Sequence, residues 1–176
     1  MAMNASRNKL PLWLPLLLGA VVAGCAGYHL GPSNGLASGS RSIQVLPFVN
    51  HTREPRITEY LGESMRRQLQ QDGTFCLKTS GAPDLEVTGE IIRFERTELS
   101  YTTNDVLTPQ EYTLTLTANI VARDPISGKT NLNRAVQGRT FVRAGNDLAS
   151  TEREAIPNLA DDLARNAVSL LVDGAW

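Results

Sequence analysis

The chain has 176 residues, with 17 Lys+Arg against 18 Asp+Glu, two histidines and two cysteines. A net charge of −1 provides no broad electrostatic drive towards nucleic acid, and two histidines are too few for a His-rich metal site. Once a leader is set aside, the length suits one domain burying most of its unfolded surface.

The leader comes first. Arg7 and Lys9 form a short positive region, Leu10 to Val22 (LPLWLPLLLGAVV) an apolar one, and Val22-Ala23-Gly24-Cys25 places two small residues before a cysteine. That order of parts is a secretory signal, and the apolar run is too short to span a bilayer comfortably. The stretch resembles the lipobox of bacterial lipoproteins. The resemblance implies cleavage before Cys25, a thioether-linked diacylglycerol and an N-acyl lipid such as palmitate on Cys25, and no other cofactor. An ordinary signal peptide or a short anchor with an incidental cysteine is the alternative. Ala26 stands where an Asp would suggest inner-membrane retention, so the expected location is the outer membrane, facing the periplasm. The leader takes two cations and no acids, leaving 15 against 18, a net charge of −3 for residues 25–176.

Three segments are expected: a signal peptide over 1–24, a lipidated tether over 25–41 and a single domain over 42–176. The tether is rich in Gly and Ser, though Tyr28 and Leu30 in it have the character of docking residues. Ser42–Val49 (SIQVLPFV) reads as a strand apolar on both faces, with Pro47 confining it to an edge or an end. Pro55 suits the first position of a helix whose stripe is Ile57, Tyr60, Leu61, Met65 and Leu69, ended by Gly73. Thr74–Thr79 is a short strand. Asp84–Tyr101 is a long one whose apolar parity switches at Ile91-Ile92, which predicts a bulge. Thr102–Gln110 reads as a polar hairpin loop. From Glu111 to Asp124, Tyr112, Leu114, Leu116, Ala118 and Ile120 alternate with Thr113, Thr115, Thr117 and Asn119, a half-buried antiparallel strand. After a turn at Asp124–Lys129, Asn131–Arg143 returns as a further strand.

The last element is helical. Thr151 and Glu154 have capping-box spacing, and Pro157 should kink or delay the first turns. Ile156, Leu159, Ala160, Leu163, Ala167, Leu170 and Leu171 form its stripe. The fold class is therefore α+β: a mixed, mostly antiparallel sheet of four to five strands with two amphipathic helices packed on one face. The other face is polar and free to meet something.

Catalysis finds little support. The sequence has no Gly-rich phosphate loop, no G-x-S-x-G and no HExxH. Cys76 reads as a buried small hydrophobe, the alternative being a lone thiol that pairs between chains in an oxidising compartment; its sequence neighbourhood lacks a histidine, and spatial proximity to His51 stays open. The cations offer more. Arg93 and Arg96 lie on the long strand, and Arg123, Lys129, Arg134, Arg139 and Arg143 on or beside the next two. Converging, several could meet phosphates bidentately; otherwise they form ordinary surface pairs with Glu95, Glu98 or Glu111.

Cys25-Ala26-Gly27-Tyr28-His29-Leu30 resembles the start of mature LptE-type lipopolysaccharide-assembly lipoproteins. Ile43 to Thr52 (IQVLPFVNHT), followed by Glu54-Pro55 and a helix, resembles the next block of that family, and the order of elements matches to the end of the chain. The resemblance implies a non-enzymatic outer-membrane lipoprotein that plugs and helps assemble the β-barrel protein LptD. It also implies possible contact with lipopolysaccharide through basic residues near one end of the sheet. The Thr102–Gln110 loop departs from that pattern, having Asp105 and no Lys or Arg; Arg93, Arg96 and Lys129 are the substitutes. The first strand alone also resembles envelope lipoproteins of the CsgG and LpoB type, which form secretion pores or activate peptidoglycan synthases; the Gly-Tyr-His-Leu start argues against them.

Overall fold

The computed structural model describes residues 39–102, 105–143 and 147–174. The leader, Cys25 and the tether up to residue 38 lie outside the described residues. The elements are β1 (Arg41–Val45), β2 (Val49–Asn50), α1 (Ile57–Asp72), β3 (Phe75–Leu77), β4 (Leu85–Thr102), β5 (Asp105–Arg123), β6 (Thr130–Arg143) and α2 (Leu148–Asp173). All six strands join one sheet in the order β3-β1-β4-β5-β6, with β2 also on β4. β1 pairs in parallel with β3 and β4, β2 in parallel with β4, and β4-β5-β6 is an antiparallel meander. The fold is the expected α+β one, with six strands where four to five were expected.

The extra strand arises at Pro47. The sequence suggested one run from Ser42 to Val49; the structure breaks it at Leu46-Pro47-Phe48, since proline cannot donate to a ladder. The break resets the phase. Ile43 and Val45 are buried, Val49 is exposed, and Phe48 turns inward. The polar hairpin loop expected at Thr102–Gln110 is shorter than that, because β4 extends to Thr102 and β5 begins at Asp105. Pairing continues there through irregular register, and Pro109 sits opposite Tyr101 at one such irregularity.

Both helices lie on one side of the sheet, α1 against β1, β2 and β3, and α2 against β6 and β5, with the helices also packed on each other. In α1 the stripe Ile57, Leu61, Met65 and Leu69 is buried, and Gly73 ends the helix in the left-handed region (φ 73°), its N–H donating to the Leu69 carbonyl at 3.1 Å. Pro55 lies ahead of the helix, which starts at Ile57 after an Arg56 cap. In α2 the cap is Asp147, whose side chain accepts from the Ala149 N–H at 3.1 Å. The helix therefore begins before Thr151, whose hydroxyl donates back to the Asp147 carbonyl, and it runs on through Pro157. Leu159, Ala160, Leu163, Ala164, Ala167 and Leu171 are fully buried, whereas Leu170, expected inside, is exposed at the stripe's margin.

Sheet and helices close over one core: Leu85, Val87 and Ile91 of β4, and Leu114, Leu116, Ala118, Ile120 and Ala122 of β5, face the helical stripes. Each large aliphatic buried there contributes about 1.5–3 kcal/mol. A polar link crosses the helix pair, where Asp161 of α2 accepts from the buried Ser64 hydroxyl and from the Arg67 guanidinium of α1.

A second polar link ties β1 to β4. Asp84 Oδ2 accepts from the Ser42 hydroxyl at 2.6 Å and the Ser42 N–H at 2.7 Å, while Ser42 Oγ accepts from the Asp84 N–H at 3.0 Å. These bonds to Ser42 hold the Asp84 carboxyl below its ordinary range. A lowered folded-state pKa means that folding favours the ionised form. That contribution is present above the unfolded-chain value of about 3.9 and is lost as pH falls through the lower folded value. Asp84→Asn is expected to remove this acid-side loss. Acid unfolding of both proteins followed by circular dichroism checks it, and an unchanged profile below pH 4 would rule out Asp84 as a contributor.

Candidate functional site

The helices leave one sheet face bare. Strand alternation sends Thr113, Thr115, Thr117 and Asn119 of β5 to this side, and the register sets them between Thr97, Glu95, Arg93 and Glu90 of β4 and Phe141, Arg139, Gln137 and Ala135 of β6. The result is a threonine-rich strip bordered by cation–acceptor pairs. Arg93 lies 3.3 Å from Glu95, Arg139 donates to the Gln137 side chain at 3.1 Å, and Arg143 lies 2.9 Å from Glu111. Phe141 stands out of the strip with 70% of its surface exposed. Nearer β1 the same face has a shallow hollow among Leu46, Pro47, Val49 and Val121.

Arg93, Arg96 and Lys129 do not converge. The predicted bulge is present between Ile91 and Arg93, and beyond it Phe94 and Arg96 take the helix side while Arg93 takes the bare side. Arg96 is committed there: its guanidinium is 2.6 Å from Glu152 of α2 and 5.5 Å from the centre of the Tyr112 ring. The Glu152 hydrogen bond raises the Arg96 pKa above its ordinary value. Lys129 closes the β5–β6 turn, where its carbonyl accepts from the Asp124 N–H at 2.9 Å. Asp124 shapes that turn by accepting from the Ser127 hydroxyl, which lowers its pKa. Adjacent Arg123 is opposite Glu86, seven residues before Arg93 on β4 and so about 23 Å away along the sheet.

Cys76 is exposed, contrary to its expected burial. In the short edge strand β3 the alternation puts Phe75 inside and Cys76 outside. Cys76 is level with Ser42, and His51 follows β2 beside Ile91, roughly 20 Å further along, so the two form no pair. Among the described residues no group of three or more His, Cys, Asp or Glu is placed to hold a metal ion, and no helix is long and apolar enough to cross a membrane.

The model of the LptE lipopolysaccharide-assembly family matches residues 40–171, from the start of β1 into the last turn of α2. The chain belongs to the LptE family. No curated protein matches the sequence. Among solved structures, this LptE-family chain is similar in fold to a Xanthomonas campestris protein (13% identity, TM-score 0.58, covering 83% of this chain and 92% of that one). It is also similar to a hypothetical protein of Chlamydia trachomatis (13%, 0.55, 78% and 98%) and to a minor lipoprotein of Acinetobacter baumannii (14%, 0.51, 76% and 93%). At these identities the likeness is one of fold. The match takes in all the strands that build the bare face as well as α1 and α2 into its last turn.

Proposed function

We propose that this LptE-family protein is an outer-membrane lipoprotein, held by acyl chains on Cys25, that occupies the lumen of the β-barrel LptD and helps that barrel assemble for lipopolysaccharide transport to the outer leaflet. It acts by fitting another protein and not by catalysis. The observation that carries this reading is the mostly polar sheet face that neither helix covers, Thr113 to Asn119 with its flanking rows, on a body whose helical apolar stripes are largely consumed in its own core. Barrel interiors are polar and wet, so a plug needs a polar outside and no large exposed apolar patch.

Contact with lipopolysaccharide is the finer part of the proposal. Arg93 offers a guanidinium on the bare face once it leaves Glu95, Lys129 a separate ammonium at the far turn, and Arg96 a guanidinium that must first leave Glu152. Copurification from mild detergent tests the whole. A stable stoichiometric complex with a large outer-membrane β-barrel is expected. A homo-oligomeric ring, a peptidoglycan synthase as the partner, or substrate turnover with no stable partner would overturn it.

A further inference from the structure

β4 is a long strand beside a short lane. On one side it pairs with β1 from Leu85 to Val87 and with β2 at Glu90 and Ile91. There the lane stops. Asn50 accepts from the Thr52 N–H at 2.9 Å and hydroxyl at 2.8 Å and donates to the Glu54 carbonyl at 2.8 Å, turning the chain away towards α1. The His51 N–H donates to the Ile91 carbonyl at 3.0 Å, one step beyond the β2 pairing. β4 continues to Thr102, and among the described residues no further strand joins it on this side.

The register fixes which groups are left over. Gln137 and Arg139 direct their outer backbone groups to α2, so Thr117 and Thr115 opposite them on β5 face β4, and Arg93 and Glu95 answer them. Phe94 and Arg96 therefore turn their N–H and C=O groups outward. The two edges are treated differently. At β6, Asp162 accepts from the Arg139 N–H at 2.9 Å and Asn166 donates to the Gln137 carbonyl at 2.9 Å, so α2 seals that edge. At β4 an open groove runs instead between the loop at Thr52–Glu54 and Ile92–Phe94.

We propose that the lane beside Arg93–Thr97, about 17 Å long, takes an extended segment of the barrel partner as an added strand. This rests on the reading above. A closed barrel wall has no spare edge, so the segment comes from outside the wall. Charge describes its chemistry: from Arg93 to Thr97 the cations are already paired, Arg93 with Glu95 and Arg96 with Glu152, so that stretch suits uncharged, β-branched or aliphatic residues. Ile92, 46% exposed, offers apolar contact at its start. A second copy would bring the charged Arg93, Glu95 and Arg96 into the lane and is the poorer occupant.

Amide hydrogen exchange of the full-length protein, free and in its purified barrel complex, tests this. Phe94 and Arg96 amides are expected to exchange at least ten-fold more slowly in the complex. A complex in which they exchange as in the free protein overturns the added strand and leaves the plug reading standing; no complex at all overturns both. Slowing that tracks protein concentration without the barrel assigns the lane to a second copy and overturns the proposal. Phe94→Pro, which removes one outward N–H at an edge position where proline is tolerated, is expected to lower complex yield several-fold relative to Phe94→Leu; equal yields from two folded variants would also overturn it.

Discussion

Gly138→Ala is expected to destabilise the folded body by about 3 kcal/mol, the upper range for forcing one methyl into a closed contact. Gly138 lies in β6 where α2 comes nearest the sheet. A methyl there would be 2.5 Å from the Leu163 amide nitrogen and 2.7 Å from the Leu159 carbonyl oxygen. Both obstacles are helix backbone, which cannot rotate aside as a side-chain tip can. Relief requires α2 to lift from β6, and with it the buried Leu159 and Leu163 and the edge-sealing bonds from Asp162 and Asn166. Gly81→Ala is the control, because its surroundings are open and only its left-handed backbone (φ 83°) resists, a cost of about 1 kcal/mol. Urea unfolding of the three proteins measures the difference, and equal midpoints for Gly138→Ala and wild type would mean that α2 does not seat as described.

The larger effect on function is expected from Cys25→Ala. A single acyl chain gives only marginal, reversible membrane binding, whereas several chains hold a protein firmly, at about 0.8 kcal/mol per buried methylene. Removing the thiol removes every chain attached through it, and the membrane-bound fraction should fall by orders of magnitude. Fractionation is the measurement. The variant is expected in the soluble periplasmic fraction, with a reduced yield of assembled barrel. Full retention in the outer membrane would show that Cys25 is not the anchor.

Much of the body was legible in the residues. Strict alternation from Tyr112 to Ile120 located β5 and its threonine face, the parity switch at Ile91-Ile92 located the bulge, and the three-and-four spacing of Ile57, Leu61, Met65 and Leu69 located α1. Periodicity reports which side a residue faces and not which strand lies next door. The parallel placement of β1 between β3 and β4, and with it the bare edge of β4, was therefore out of reach. Local chemistry misled in three places. Asp147 outcompeted Thr151 as the α2 cap, Pro109 proved compatible with an irregular part of the ladder, and Cys76 followed the alternation of a three-residue edge strand instead of its own apolar preference.

The dispersal of the cations had a signal that could have been used. A separation of three in a strand puts Arg93 and Arg96 on opposite faces, and neither bulge nor register alters that here. The Arg96–Glu152 pair had no such signal, since it joins residues 56 apart through the packing of α2. Its removal of Arg96 from the pool of available cations is a tertiary fact.

Site-specific photocrosslinking from the centre of the bare face tests most directly whether that face fits another protein. With a photoreactive residue in place of Thr115, surrounded by Glu95 and Arg139 in the register, the expected product in cells is a covalent adduct with the large outer-membrane β-barrel. A probe in place of Leu170, on the margin of α2, serves as the comparison. No barrel adduct from position 115, in cells where the protein is folded and membrane-bound, would contradict a plug that presents this face to the barrel.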